Sequence, residues 1–107
     1  MKVLVTGGGG FLGTWIIREL LKDPSAMVTS FSRHPYQHLE ELGVPTVRGD
    51  IGSADDVERA LRLGFDAIIH TAARVGMWGP AEAFERTNVE GTRNLLAAAQ
   101  AHCVKRF

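Results

Sequence analysis

A cluster of glycines close to the amino terminus follows a short apolar run, and a helical pattern begins directly after it. Gly7, Gly10 and Gly13 have the spacing T-G-x-x-G-x-x-G, with Phe11 and Leu12 between the last two. A glycine turn between a strand and a helix collects bare backbone N–H groups at a helix N-terminus, which suits a pyrophosphate. Glycine is required because the tight turn, the close approach of phosphate and the helix–strand packing each exclude a Cβ. These five residues therefore form a predicted phosphate-binding loop.

Strands and helices alternate along the chain that must position this loop. Apolar runs predict four strands, at Lys2–Thr6, Met27–Ser32, Pro45–Arg48 and Ala67–Thr71. Helical segments are predicted at 11–22, 36–42, 53–62 and 81–101, and residues 105–107 have the pattern of the first step of a fifth strand. Repeated strand–helix units imply parallel strands with right-handed crossovers and helices on both faces.

The expected fold is therefore α/β, a doubly wound parallel sheet of the Rossmann type with strand order 3-2-1-4 and strand five beside strand four. A ligand should bind at the carboxyl ends of the strands, where the order reverses between strands one and four. Ser53 and Asp56 predict a capping box, which is weakened because Asp replaces the usual Glu. The first helix is predicted because apolar residues recur at helical spacing, namely Leu12, Trp15, Ile16 and Leu20.

The composition restricts the class of protein. The 107 residues make one domain or part of one, and 45% apolar with 22% charged residues indicates a globular chain. Twelve basic residues balance twelve acidic ones, so we expect neither nucleic acid nor a membrane as a partner. A single cysteine, Cys103, excludes an internal disulfide framework and is expected to be a small buried residue. With no signal-peptide pattern, the predicted location is cytoplasmic.

Four segments of the chain resemble the extended short-chain dehydrogenase/reductase family, in the same order. They are Thr6–Gly13, Gly49-Asp50-Ile51, His70-Thr-Ala72-Ala73 and Asn88-Val-Glu-Gly91-Thr92. The segment from Ala73 to Pro80 is more similar to the 3β-hydroxysteroid dehydrogenase-like branch than to the sugar-nucleotide epimerases. The resemblance implies that residues 1–107 are an incomplete NAD(P)-binding Rossmann domain, without the catalytic and substrate-binding part.

The same resemblance assigns cofactor contacts to residues outside the glycine loop. It places Asp50, with Ile51 beside it, against the adenine, although Asp50 could also be an ordinary loop carboxylate or N-cap. It places the cofactor ribose and nicotinamide against Ala72 and Ala73, whose small side chains would also suit close packing alone. It gives Asn88 a hydrogen bond across to backbone near the active site, the alternative being an Asn that faces solvent.

The end of the second strand bears on which nicotinamide cofactor binds. An acidic residue about 20 positions beyond the glycines accepts from the ribose 2′-hydroxyl of NAD. Ser32 and Arg33 stand there instead, and no carboxylate occurs between Asp23 and Glu40. Ser32 can hydrogen-bond a 2′-phosphate and Arg33 can pair with it, so NADP(H) is favoured over NAD(H). A solvated Arg33 and a site that accepts either cofactor is the alternative.

The catalytic residues of the family have no counterpart in this chain. Hydride transfer there uses a Tyr-x-x-x-Lys pair with a Ser or Thr, whereas Tyr36 is followed four residues later by Glu40 and lies on the adenine side. We expect those residues beyond Phe107, and we expect the chain alone to be inactive. No metal site is predicted, since His34 and His38 have no placed partner ligands.

The leading hypothesis is an NADP(H)-dependent oxidoreductase acting on a hydroxyl or ketone of a small, steroid-like or otherwise bulky apolar substrate. A sugar-nucleotide epimerase or dehydratase and a non-catalytic dinucleotide-binding or redox-sensing module are the alternatives. The unpaired edge of strand four would make the chain marginally stable or self-associating, which leaves a homo-oligomer open.

Overall fold

The computed structural model describes residues 1–71 and 86–107. The strands are β1 (Lys2–Thr6), β2 (Met27–Ser32), β3 (Thr46–Arg48) and β4 (Ala67–His70). The helices are α1 (Phe11–Leu20), α2 (Gln37–Glu41), α3 (Ala54–Leu61) and α4 (Gly91–Ala101). A π-helical turn, Arg86–Glu90, leads into α4, so this part of the predicted long helix is not α-helical. None of the described helices is long and apolar enough to cross a membrane.

The four strands form one parallel sheet in the order β3-β2-β1-β4, which confirms the predicted topology. Beyond β4, Arg106 makes a single parallel bridge to Ala67, and its carbonyl accepts the Ile68 N–H at 3.0 Å. The predicted first step of a fifth strand is therefore present. It pairs with one point on the edge of β4.

The two faces of the sheet carry separate hydrophobic clusters. Val3 and Val5 of β1 pack on one side with Ile17 of α1 and Leu39 of α2. Leu4 points to the other side, into a cluster built from α3 and α4. Because successive side chains of a strand alternate between faces, both faces of β1 are buried and its sequence is continuously apolar.

The helix predicted from apolar spacing is present as α1, but the apolar residues that predicted it are not all buried. Gly13 and Ile17 are its buried residues, whereas Leu12 and Trp15 are each 59% exposed. A Cβ on Gly13 would lie 2.7 Å from the carbonyl carbon of Gly7, so the helix makes its closest approach at this glycine. That contact and Ile17 one turn later fix the rotation of α1, and the Leu12–Trp15 side therefore faces outward.

Only half of the predicted capping box forms at the start of α3. The Ser53 hydroxyl accepts the Asp56 N–H at 3.3 Å, as predicted. The Asp56 carboxylate does not return to Ser53 but accepts the Asp50 N–H at 2.9 Å, while the Ser53 N–H donates to the Asp50 carbonyl. The Asp side chain is one methylene shorter than the usual Glu, and it ties the preceding loop to the helix instead.

Cys103 ends α4 and is exposed, which corrects the prediction that it is buried. Its φ of +55° places it in the left-handed region. The N–H of Val104 donates to the Ala99 carbonyl at 2.9 Å and that of Cys103 to the Gln100 carbonyl at 3.3 Å, which is a Schellman motif. The left-handed backbone of Cys103 directs its side chain to solvent, and the next residue, Val104, packs against the core instead.

Candidate functional site

The glycine loop closes between β1 and α1 at the carboxyl edge of the sheet. Gly7 has a φ of +73°, and its carbonyl accepts the Gly10 N–H at 3.0 Å. Gly10 is the N-cap of α1 in extended conformation and provides no side-chain cap. The first N–H groups of the helix, at Phe11 and Leu12, have no carbonyl within the helix to receive them. The loop thus presents uncapped donors and the positive end of α1 to one point.

Steric demands for glycine extend beyond the three predicted positions. A Cβ on Gly13 would collide with the backbone of Gly7 and Gly8, whereas one on Gly10 would come no nearer than 3.4 Å to the Gly7 carbonyl oxygen. A Cβ on Gly9 would overlap the ring of Tyr36. The spacing alone did not identify Gly9. The sequence signal that could have identified it was the run of four glycines, Gly7–Gly10, within which the motif requires only the first and the last.

Side chains from α1 and α2 hold the loop from its outer side. The Thr14 hydroxyl donates to the Gly8 carbonyl at 2.7 Å and lies 3.1 Å from His38 Nε2. Because that hydroxyl has one hydrogen, His38 is the donor to it. The Tyr36 ring lies against His34 and His38, with ring centroids 5.9 and 5.7 Å away. Within residues 1–71 and 86–107, no group of three or more His, Cys, Asp or Glu could hold a metal ion.

A shallow cleft of about 370 Å³ flanks the loop between α1 and α2. Its lining comes from the glycine loop, from the outer side of α1 and from α2: Gly9, Gly10, Phe11, Thr14, Trp15, Arg18 and His38. Phe11 is 93% exposed, so its side chain makes little contact with the rest of the protein. Within the motif, Phe11 therefore contributes a backbone N–H group to the glycine loop, and its apolar side chain is exposed to solvent.

Ser32 and Arg33 leave the sheet beside the glycine loop. Thr6 pairs with Phe31, so the residues that follow each strand emerge at the same edge. The Ser32 hydroxyl donates to the His34 carbonyl at 2.6 Å, and Arg33 is exposed. With its one hydrogen used inside the protein, Ser32 offers an acceptor at this edge, and Arg33 supplies the donors.

The loop after β3 is held by a hydrogen bond within the loop and by packing against the start of α4. Asp50 Oδ1 accepts the Gly52 N–H at 2.8 Å, which is the loop-carboxylate role left open for it. Ile51 is only 7% exposed, and a Cβ on Gly91 would lie 2.6 Å from its Cδ1. Gly91 therefore brings the start of α4 into close contact with this loop. The predicted adenine contacts of Asp50 and Ile51 stay predictions.

The side-chain amide of Asn94, on α4, hydrogen-bonds to the loop after β3. Its Nδ2 donates to the Ile51 carbonyl at 2.8 Å. Asn88 is exposed in the π-helical turn, where its carbonyl accepts the Thr92 hydroxyl at 2.9 Å, and the predicted role of its side chain stays a prediction. Asn94 was missed, although a second Asn inside a helix was a usable signal, since Asn has a low helix propensity. The predicted contacts of Ala72 and Ala73 lie outside the described residues.

Comparison with known proteins decides the family. Residues 3–107 match the model of the NAD dependent epimerase/dehydratase family. The chain belongs to this family. The resemblance that the four sequence motifs indicated is thereby confirmed.

Curated relatives of the chain include proteins that are named as reductases and dehydrogenases. The chain is 42% identical over 107 residues to the 2-alkyl-3-oxoalkanoate reductase of Stenotrophomonas maltophilia, covering 100% of this chain and 32% of that protein. It is 41% identical over 113 residues to a 3-beta-hydroxysteroid dehydrogenase of Mycolicibacterium neoaurum, covering 99% of this chain and 30% of that protein. The chain thus spans about a third of the length of these relatives.

Solved structures similar to this family member contain bound dinucleotide. The UDP-glucose 4-epimerase of Thermus thermophilus, in complex with NAD, superposes with a TM-score of 0.82 at 32% identity over 97% of this chain and 35% of that one. The Bordetella bronchiseptica enzyme WbmG, in complex with NAD and UDP, gives a TM-score of 0.89 at 27% identity over 99% of this chain and 36% of that one. These likenesses confirm the Rossmann-type fold.

Proposed function

We propose that this chain is the dinucleotide-binding portion of an NAD(P)-dependent oxidoreductase acting on a hydroxyl or ketone. The observation that supports it best is the cradle made by the glycine loop. Its closure leaves no room for a Cβ on Gly13, and its N-cap Gly10 leaves the amino end of α1 uncapped. Such a cradle fits a pyrophosphate in shape and in charge. When bound, a nicotinamide dinucleotide supplies or accepts the hydride.

Each part of the carboxyl edge has a proposed task. Backbone N–H groups of the loop hold the pyrophosphate, Ser32 and Arg33 contact the adenosine ribose, and Asp50 with Ile51 borders the adenine. Ala72, Ala73 and Asn88 are proposed on the nicotinamide side. The complete proposed set is Gly7, Gly10, Phe11, Leu12, Gly13, Ser32, Arg33, Asp50, Ile51, Ala72, Ala73 and Asn88.

We further propose NADP(H) as the preferred cofactor, with NAD(H) as the alternative. The exposed guanidinium of Arg33 at the end of β2 supports this preference, because it can pair with a 2′-phosphate. Ser32 is less suited to that task than the sequence suggested, since its hydroxyl hydrogen is directed to His34. Arg33 should therefore carry most of the discrimination.

Titration of NADP⁺ and NAD⁺ into the protein and its R33Q variant tests this preference. We expect R33Q to weaken NADP⁺ binding about tenfold, or about 1.4 kcal/mol, and to leave NAD⁺ binding unchanged. R62Q, on the exposed side of α3, is the matched loss of one positive charge and should alter neither affinity. Equal weakening of both cofactors by R33Q would contradict the preference.

For the substrate, we propose a ketone or hydroxyl on a bulky apolar molecule. The names of the relatives at 41–42% identity, an oxoalkanoate reductase and a hydroxysteroid dehydrogenase, support this proposal over a sugar nucleotide. A UDP-sugar epimerase is the alternative favoured by the similar solved structures. Incubating the complete protein with NADPH and either a 2-alkyl-3-oxo acid or a UDP-hexose distinguishes the two. Dinucleotide binding without either conversion would favour a non-catalytic module.

The proposed setting of this oxidoreductase is the cytoplasm, with a small molecule as its substrate and self-association through the edge of the sheet. The balance of twelve basic and twelve acidic residues supports a partner that is neither nucleic acid nor membrane. Sedimentation over a range of concentrations tests the self-association, and a monomer at all concentrations would contradict it.

A further inference from the structure

His70, the last residue of β4, is hydrogen-bonded through both of its ring nitrogens. Nδ1 lies 2.7 Å from the Thr6 hydroxyl at the end of β1, and Nε2 lies 2.9 Å from the Thr92 hydroxyl at the start of α4. Thr6 is fully buried and His70 is half-buried. One imidazole thus joins two strands of the sheet to a helix on its face.

The neighbouring hydrogen bonds determine where the imidazole proton lies. The Thr92 hydroxyl donates its one hydrogen to the Asn88 carbonyl at 2.9 Å, so its oxygen must accept from His70 Nε2–H. A neutral ring protonated at Nε2 has a bare Nδ1, which accepts the Thr6 hydroxyl hydrogen, while the Thr6 hydroxyl oxygen accepts the Thr71 N–H at 3.2 Å. The arrangement is complete with a neutral ring protonated at Nε2. Burial also lowers the pKa of His70, which favours the same neutral form.

The residues tied by this ring are close neighbours of residues proposed to bind the dinucleotide. Thr6 directly precedes Gly7, and its carbonyl accepts both the backbone N–H and the hydroxyl of Thr71. Thr92 directly follows Gly91, the residue that packs against Ile51 in the loop after β3. A shift of His70 would therefore move the origin of the glycine loop and the first turn of α4 relative to each other.

We propose that His70 is a positioning residue: as a neutral bridge that donates to Thr92 and accepts from Thr6, it fixes the start of the glycine loop relative to the first turn of α4, and so the geometry of the proposed dinucleotide site. The bridge itself is a set of hydrogen bonds within the protein and does not depend on a bound dinucleotide. Its consequence for the dinucleotide rests on the proposed function. The two parts need separate measurements, so that one can fail without the other.

The bridge is tested by ¹⁵N-edited NMR of the imidazole rings in the protein near neutral pH. We expect His70 to be the Nε2–H tautomer with a slowly exchanging ring proton, whereas the exposed His34 should average between tautomers. An Nδ1–H tautomer, or rapid averaging at His70, would overturn the bridge. This readout requires no ligand, so it decides the bridge even if neither NAD⁺ nor NADP⁺ binds.

The positioning role is tested by substitution of Thr92, with NADP⁺ and NAD⁺ as the titrated probes. T92V keeps the shape of the side chain but removes the acceptor, and it should weaken binding of whichever dinucleotide binds by about tenfold. T92S restores the hydroxyl and should bind within twofold of the parent. The same pair should lose and regain the protected Nε2 proton of His70.

A destabilised control separates positioning from general stability. V57A removes a buried side chain of α3, away from the bridge, and should lower the melting temperature without altering dinucleotide affinity. If T92V lowers the melting temperature and leaves affinity unchanged, His70 is merely structural and the positioning role is wrong. If the parent binds neither dinucleotide, the proposed function and the positioning role fall together.

Discussion

Substitution of Gly13 by alanine should damage both the fold and the binding of a dinucleotide. The new Cβ would lie 2.7 Å from the carbonyl carbon of Gly7 and 2.8 Å from Cα of Gly8, with the Gly7 carbonyl oxygen nearer still. All of these atoms are backbone, so no side-chain rotation can relieve the overlap. The start of α1 must move outward by about 1 Å to restore ordinary contact distances.

The magnitude follows from two opposing effects. Overpacking of this kind costs about 1–3 kcal/mol. Alanine inside a helix regains up to about 1 kcal/mol relative to glycine. Since every overlapping atom is backbone, the cost should lie at the upper end of that range, and the net loss of unfolding free energy for G13A should be about 2 kcal/mol. Displacement of two N–H donors from a charged phosphate, at about 1.5–3 kcal/mol each, should weaken dinucleotide binding at least a hundredfold.

Two other glycines separate these effects. A Cβ on Gly10 approaches the protein no closer than 3.4 Å, so G10A should retain stability and lose affinity, because the methyl group occupies the phosphate's approach. Gly43 has a φ of +77° and open space around it, so G43A should lose about 1 kcal/mol of stability and keep its affinity. Urea unfolding and calorimetric titration of all three variants provide the comparison. A G13A protein as stable as its parent would refute the closure argument.

Three further changes probe the stability of the fold. C103G should raise the unfolding free energy by about 0.5–1 kcal/mol, because glycine adopts the left-handed conformation without strain; a decrease in urea unfolding would contradict this. S30A should raise it by about 1 kcal/mol, since the fully buried Ser30 hydroxyl has no hydrogen-bond partner among residues 1–71 and 86–107; a loss larger than about 0.5 kcal/mol would show that a partner exists. The depressed pKa of His70 means that the unfolded chain binds its proton first as the pH falls. As the pH falls from about 6.5 to the folded pKa of His70, this residue should therefore lower the free energy of unfolding. Below the folded pKa its contribution should stay constant. H70Q should remove this pH dependence.

The sheet and the glycine loop could be predicted from the sequence because their signals are local. Strands buried on both faces give continuous apolar runs such as Val3–Val5, and alternation with helices determines the parallel order. The glycine spacing specifies a turn whose backbone alone performs the task. All of these patterns depend on residue type and on separation along the chain.

The orientation of α1 and the supports of the loop could not be predicted, because they depend on contacts between distant segments. Apolar periodicity selected Trp15, but the rotation of the helix is set by the meeting of Gly13 with Gly7. The contact between Gly9 and Tyr36 joins residues far apart in sequence and has no periodic signature. Cys103 was assigned by its usual burial, whereas the geometry of a helix end decided its position.

The central place of β1 also has a consequence for the order in which the chain assembles. Lys2 pairs with Met27, whereas Val3 pairs with Ala67, more than twice as far along the chain. Closing the longer loop costs about 0.8 kcal/mol more in chain entropy, and during synthesis β4 emerges after the other three strands of the sheet. The unit of β1, α1 and β2 should therefore form first, with one edge of β1 open until β4 docks. Because the proposed dinucleotide site lies at the carboxyl ends of these strands, the ability to bind a dinucleotide should appear only after β4 has docked.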